Sequence, residues 1–328
     1  MIIGRRELLG TASLIGGGLA LGAGSPGWAI DAVSSGDLRD AVAGRRVFYA
    51  GTALHVPFLE RVGHARAAGM DGVSIFTAEW QALIDGGMTP AEVRRRLDDA
   101  GVLLTDYEGI MNWIPDRAPA ADPKMAAQMA RLTPEAILPM AAAAGARTVL
   151  VGDMNPEPAD LDRAAEGFSR LCDLAAEYGL RAELEFMPFG GIPDLAAGWE
   201  VVRRAGQPNG GLLIDSWHFF RSKSSLELLA EIPGEKIIAV QLNDGPATAE
   251  PDLLTETMHR RRLPGAGDFA LDALLAVLDR IDFRGPVGIE TYSDDFAALG
   301  GAEIAQRSAE ALDRAIRSHQ TGAGKPRA

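Results

Sequence analysis

From about residue 45 onward, short apolar runs alternate with longer stretches in which apolar side chains return every three or four positions. The first pattern is that of strands buried on both faces, and the second that of helices with one face against a sheet. Strands are expected at Arg46–Ala50, Gly72–Thr77, Val102–Thr105, Arg147–Val151, Arg181–Phe186, Gly211–Asp215, Ile237–Leu242 and Val287–Thr291. Helical patterns fall between them, at Val56–Ala68, Asp160–Tyr178, Asp194–Ala205, Ser225–Glu231, Leu271–Arg280 and Ala302–His319. Two more open on a Thr-Pro pair, at Thr89-Pro90 and Thr133-Pro134. There the threonine can cap the helix, and the proline, which lacks an N–H, costs nothing at the first helical position.

About eight strand-helix units with no hairpin turn signals point to an α/β chain whose parallel strands close into a (β/α)8 TIM barrel, a single domain over residues 30–322. An open doubly wound sheet would carry a glycine-rich phosphate loop after the first strand, and Gly51-Thr52-Ala53 does not supply one. Two connections are long: one through Trp113, Pro115, Pro119 and Pro123, read as a lid, and one from strand seven to Phe269.

Composition narrows the function. The chain has 328 residues, 47% of them hydrophobic, enough for a large core. Its 32 Lys+Arg against 45 Asp+Glu leave a net charge of −13, which repels phosphate backbones and argues against a nucleic-acid partner. Cys172 is the only cysteine, so no internal disulfide forms. Residues 1–29 read as a targeting segment: Arg5-Arg6, a Gly-rich apolar stretch from Gly10 to Gly24, then Gly27 and Ala29 around Trp28. This resembles a twin-arginine export signal, which implies a periplasmic or secreted protein that meets the membrane only through that signal. Cleavage after Ala29 removes Arg5, Arg6 and Glu7, a net +1, and leaves −14. Residues 323–328 read as a flexible tail.

The candidate chemistry lies at the strand ends. The run from Gly211 stops abruptly in Asp215, with His218 three residues on. A lone Asp in such a place is ordinarily a cap or turn residue. Other strands, however, end in Glu185, in Gln241 with Asn243 and Asp244, and in Glu290. In a parallel barrel these ends converge on one face. Carboxylates so gathered repel one another unless a cation neutralises them, and oxygen donors suit a hard divalent ion, Mg²⁺ or Mn²⁺. His218 at the pocket mouth is a candidate base or substrate contact. Arg221, Arg262 and Glu108 are candidate substrate contacts, with solvated charge the ordinary alternative for the arginines. Pro264-Gly265-Ala266-Gly267-Asp268 reads as a tight loop shaping the pocket.

Together Leu184-Glu185-Phe186, Ile214-Asp215-Ser216-Trp217-His218, Gln241-Leu242-Asn243-Asp244 and Gly288-Ile289-Glu290-Thr291 resemble the sugar phosphate isomerase/epimerase superfamily, the xylose isomerase-like TIM barrels. That resemblance implies a metal held by Glu185, Asp215, the residue at 241 and Glu290, with Glu185 and Glu290 also carrying the proton moved beside a carbonyl. Many members have His where this chain has Gln241. The set Glu, Asp, Gln, Glu also looks like that of 3-dehydroshikimate dehydratases, to which Asp215–His218 and Arg262–Gly265 are similar. The resemblance thus implies an isomerase or epimerase acting on a sugar-like or cyclic keto-polyol substrate. A lyase, whether a dehydratase or a keto-sugar β-eliminating enzyme, is the alternative, and a non-catalytic sugar-binding barrel the third reading. A DNA-repair endonuclease of the superfamily, rich in His ligands and basic surface, does not fit an acidic chain with five His.

Overall fold

The computed structural model describes residues 46–119 and 122–321; the expected export signal and tail lie outside them. Eight parallel strands form a closed barrel in sequence order. They are β1 (Arg46–Phe48), β2 (Gly72–Phe76), β3 (Leu103–Ile110), β4 (Thr148–Val151), β5 (Arg181–Glu185), β6 (Gly210–Asp215), β7 (Ile237–Leu242) and β8 (Val287–Ile289). Closure rests on β1, which pairs with β2 through Val47↔Gly72 and with β8 through Val47↔Gly288. At Gly288 a side chain would meet the Tyr49 ring at 2.5 Å, so this position holds glycine for space.

Helices pack outside: α1 (Phe58–Ala67), α2 (Thr77–Asp85), α3 (Pro90–Ala100), α4 (Pro123–Met129), α5 (Pro134–Ala144), α6 (Leu161–Glu177), α7 (Leu195–Ala205), α8 (Ser216–Arg221), α9 (Leu226–Leu229), α10 (Leu253–His259), α11 (Leu271–Arg280) and α12 (Gly301–Thr321). The capping logic holds at α3: Thr89 Oγ1 accepts from Glu92 N at 3.2 Å, and Glu92 Oε2 accepts from Thr89 N at 2.8 Å. Asp160 caps α6 by accepting from the N–H groups of Asp162 and Arg163, and Asp194 caps α7 by accepting from that of Ala197.

The pattern did not reveal α2, α4, α8 or α10. Two of them, α2 and α8, continue straight from β2 and β6 without a breaker residue, so the change of period has no marker. Glu79 fixes the first junction. It accepts from the backbone N–H of Phe76 at 3.1 Å and pairs with buried Arg61 at 2.6 Å.

The main apolar core lies between strands and helices, with Phe168 and Leu171 of α6, Phe186 and Leu274 among its members. A smaller cluster of Leu150, Leu213 and Ala239, with Met111 against it, lies apart from that core. One step nearer the N-terminal ends of β3 and β5 than Glu108 and Glu185, Asp106 and Glu183 are bridged by the Thr148 hydroxyl at 2.7 and 2.9 Å.

The connection after β3, read as a lid, is anchored at its start. Trp113 is buried, donates its indole N–H to the Gly152 carbonyl at 2.7 Å and meets Phe168 edge-on. Farther along, Arg117 pairs with Asp153 at 2.8 Å. This part is wall rather than cover.

Candidate active site

Glu185 and Asp215 close β5 and β6, Gln241 is the penultimate residue of β7, and Glu290 follows β8 directly. All four are buried, as are Glu108 on β3 and His218 on α8. Asp215 is both the ordinary cap and a site carboxylate. Its Oδ1 accepts from the backbone N–H of His218 at 2.9 Å, opening α8, and this turn carries the imidazole back over the strand ends. His218 Nε2 lies 3.6 Å from Glu185 Oε1, and single ligand atoms of Glu185, Asp215 and His218 all fall within 4.8 Å of one another. Asp215 Oδ2 accepts from Asn243 Nδ2 and from Arg261 Nη1, both at 2.8 Å. With its amide nitrogen turned inward, Gln241 donates to Glu290 Oε2 at 3.0 Å and Asp215 Oδ2 at 3.2 Å.

Burial dominates the electrostatics. Taken out of water and set beside Glu290 and Asp215, Glu185 is held well above the usual carboxylate range. Burial raises Glu108 likewise, with Glu290 as the next contributor. Glu290 is pushed up to about 8 by burial, against the pull of the Arg261 guanidinium. Burial drives His218 down to about 3, although Asp215 favours its charged form. The imidazole is therefore neutral at physiological pH, and its Nδ1 has no hydrogen-bond partner among the described residues, nor has Glu108 Oε1.

This donor set fits a divalent cation. Glu185 and Asp215 cluster with His218, their ligand atoms within 4.8 Å of one another, and Gln241 stands between Asp215 and Glu290, with the Arg261 guanidinium against both of these carboxylates. The Gln241 oxygen can face the two carboxylates only with a cation between, whereas its nitrogen satisfies them without one.

The structure brings together Glu185, Asp215, Gln241, Glu290, His218 and Glu108. It does not bring Arg221 or Arg262 to them. The Arg221 guanidinium is committed to Glu256, to the Pro246 carbonyl at 2.7 Å and to the faces of Trp217 and Phe269. Arg262 is exposed, and its guanidinium reaches only the Ala266 carbonyl at 3.4 Å. Their neighbour Arg261 takes the central place. It is buried, bonded to Asp215, 3.5 Å from Glu290 Oε2 and 3.3 Å from His218 Nε2, and braced by Thr257 Oγ1 at 2.7 Å. The backbone bridges Asp244↔Arg262 and Arg260↔Ser293 flank it. The Pro264–Asp268 loop winds around Asp244, whose carboxylate accepts from the N–H groups of Gly245, Gly265 and Phe269 at 2.9–3.0 Å. Phe189 and Trp217 meet the His218 ring edge-on.

Comparison with known proteins agrees with this architecture. The profile of the family described as "Xylose isomerase-like TIM barrel" matches residues 62–315. The chain is 32% identical over 270 residues to a 3-dehydroshikimate dehydratase of Pseudomonas aeruginosa, covering 79% of this chain and 40% of that protein. It thus spans about two fifths of the dehydratase relatives' length. It is 31% identical over 140 residues to the inosose isomerase of Bacillus subtilis, covering 42% of this chain and 49% of that one. Among solved structures, the IOLI protein with a bound zinc atom superposes with a TM-score of 0.74 at 20% identity, over 84% of this chain and 99% of that one. A probable 3-dehydroshikimate dehydratase, AsbF of Bacillus anthracis, gives 0.63 at 14%, over 82% and 98%. At these identities the likeness concerns the fold.

Proposed function

Since the chain belongs to the xylose isomerase-like TIM barrel family, we propose that it is a divalent-metal-dependent enzyme that removes a proton beside the carbonyl of a cyclic polyhydroxy ketone and then expels a neighbouring hydroxyl as water. The observation that carries this is the cluster of buried Glu185, Asp215 and His218, their ligand atoms within 4.8 Å of one another, with Gln241 joining Asp215 to buried Glu290. Glu185, Asp215, Gln241 and Glu290 would hold the ion, and their oxygen donors favour Mg²⁺ or Mn²⁺ over zinc. When bound, the ion supplies Lewis-acid polarisation of the substrate oxygen.

The protein's own groups do the rest. His218 takes the proton from carbon at Nε2, the unprotonated nitrogen of a neutral ring to which Arg261 can only donate, leaving the bonding pair to form an enolate. Glu185, 3.6 Å from that nitrogen, balances the imidazolium so produced. Arg261 adds fixed positive charge where the enolate oxygen develops negative charge. The carbonyl then re-forms as the carbon–oxygen bond to the β-hydroxyl breaks, and the departing oxygen receives its proton from His218 or Glu290. Phe189, Trp217 and the buried strand ends exclude water from this step.

Elimination is placed ahead of isomerisation because the dehydratase likeness extends over 79% of the chain, against 42–47% for the inosose isomerases, and because Gln241 stands at the third ligand position. Isomerisation remains the second reading, supported by two carboxylic acids, Glu185 and Glu290, able to return a proton to carbon. The test is incubation of the Mn²⁺-supplemented protein with 3-dehydroshikimate and with inososes in D₂O, followed by mass spectrometry. Loss of one water is expected. Conversion without loss of water, the product heavier only by the deuterium it has taken up, would instead establish the isomerase. Glu185→Gln and Glu290→Gln should each lower turnover by about 10²–10⁴-fold, the usual worth of a proton-transfer group. Sugar binding without conversion or exchange would leave only the non-catalytic barrel.

A further inference from the structure

Arg261 faces the site along one edge of its guanidinium and is held along the other. On the site edge, Nη1 donates to Asp215 Oδ2 at 2.8 Å and Nη2 stands 3.3 Å from His218 Nε2. On the opposite edge, Nε and Nη2 both donate to Thr257 Oγ1, at 3.1 and 2.7 Å, and Nε also reaches the Thr257 carbonyl at 3.1 Å. The planar fork of an arginine points its Nε–H and one Nη2–H the same way, so a single oxygen can take both. The second Nη2–H is thereby turned toward His218.

Thr257 is itself fixed. It is buried near the end of α10, four residues before Arg261, so the arginine side chain folds back over the last turn of that helix. Its neighbour Glu256, also buried, ties α10 to the wall beside His218. The Glu256 carboxylate accepts from Trp217 Nε1 at 3.1 Å, from Arg221 Nε at 2.7 Å and from the Glu250 N–H at 2.7 Å. The Trp217 and Tyr292 ring centroids, 5.5 and 5.1 Å from the Arg261 guanidinium carbon, limit the tilt of its plane. Rotation within that plane is what they leave open, and Thr257 Oγ1 is the atom that stops it.

We propose that Thr257 is a positioning residue that acts through Arg261: its hydroxyl oxygen sets the in-plane angle of the guanidinium, and with it where the positive charge lies relative to Asp215, His218 and the enolate oxygen. This rests on the reading of Arg261 as the fixed charge that stabilises the enolate. Without Oγ1, Nε keeps the Thr257 carbonyl but Nη2 loses its shortest bond, and a buried N–H without an acceptor is costly enough to turn the group toward another oxygen. The charge itself stays in the site, so substrate binding is kept. Its alignment with the developing oxyanion is lost, and an interaction made only in the transition state shows in kcat.

The experiment compares Thr257→Val, which keeps the shape and removes the oxygen, with Thr257→Ser, which keeps the oxygen and removes the methyl. Arg261→Lys and the double variant Thr257→Val/Arg261→Lys complete a cycle. For each full-length chain, kcat and KM are measured with saturating Mn²⁺ on whichever ketone the unsubstituted chain converts. Thr257→Val should lower kcat about 10–100-fold with KM within about threefold, and Thr257→Ser should keep kcat within about threefold. The double variant should match Arg261→Lys alone within about threefold, because Thr257 has then lost the group it positions. If Thr257→Val keeps kcat within about twofold while Arg261→Lys loses it, the positioning role is wrong and the reading of Arg261 stands. Equal losses in Thr257→Ser and Thr257→Val would reduce Thr257 to packing, and additive losses in the double variant would place its effect elsewhere; either result overturns the proposal. If Arg261→Lys keeps full kcat, or the unsubstituted chain converts no ketone, the reading of Arg261 falls and the proposal falls with it. Should Thr257→Val not fold, Thr257→Ala carries the same expectation against Thr257→Ser.

Discussion

Asp215 shows how one residue serves both folding and chemistry. One oxygen holds the first turn of α8 and the other faces Asn243 and Arg261, so the bond that starts the helix also aims His218. Burial then sets opposite protonation preferences on neighbours. Glu290, raised to about 8, holds a proton in the folded metal-free protein that an unfolded chain has released above its ordinary carboxylate value. The stability from this difference is complete at acid pH and is lost as pH rises through about 8. His218, lowered to about 3, acts in the other direction. Between there and the ordinary imidazole value the unfolded chain binds a proton that the folded one refuses, so stability falls as pH drops below about 6.5. The EDTA-treated protein should therefore melt highest between about pH 4.5 and 6.5, where the two opposed slopes cancel, with a decline from there to about pH 8 and another below about pH 4.5. Mn²⁺, which prefers the deprotonated carboxylates, should abolish the alkaline decline. Scanning calorimetry across pH with and without Mn²⁺ decides it, and an alkaline decline unaffected by Mn²⁺ would contradict the ligand assignment.

Elements with local signals at both ends were the legible ones. Thr89 with Glu92 and Gly101 bracket α3, and Thr133 with Gly145 bracket α5, because capping is chemistry between near neighbours. The acidic strand ends were legible for a related reason: a buried parallel strand has no use for a carboxylate unless its end does something. Arg261 was not legible. In the run Arg260-Arg261-Arg262 only the backbone bridges to Ser293 and Asp244, from distant parts of the chain, decide which side chain turns inward. Nor could Arg221 be recognised as spent, since its partner Glu256 lies on α10. The same long-range logic makes Asp244 testable. Its carboxylate gathers three N–H groups of the 245–269 segment, and its backbone is bridged to Arg262, next to the inward Arg261. Asp244→Asn puts an amide nitrogen where an acceptor is needed, and should cost about 1–3 kcal/mol as buried N–H groups lose their partner. Urea unfolding measures the loss, and hydrogen exchange should show it concentrated at residues 260–269. A uniform increase in exchange over the whole barrel would assign Asp244 to general stability instead.

At the scale of the molecule, the barrel joins distant sequence. β1 at residues 46–48 closes against β8 at 287–289, and the four proposed ligands come from four consecutive strands. All four lie between residues 185 and 290, and the β1–β8 pairing that closes the barrel around them spans most of the chain, a slow kind of contact to form. This gives a physical reason for the export reading of residues 1–29: a route that carries folded proteins lets the barrel close and select its ion before it leaves the cytoplasm. Among the described residues no helix is long and apolar enough to cross a membrane. Fractionation of cells expressing the full chain should find the protein outside the cytoplasm, with an intact mass corresponding to a start at Ile30. Replacing Arg5 and Arg6 by Lys should retain the longer chain inside, with its Mn²⁺ affinity unchanged. Equal distribution of the two forms would remove the export signal from the account and leave the chemistry of the barrel mouth untouched.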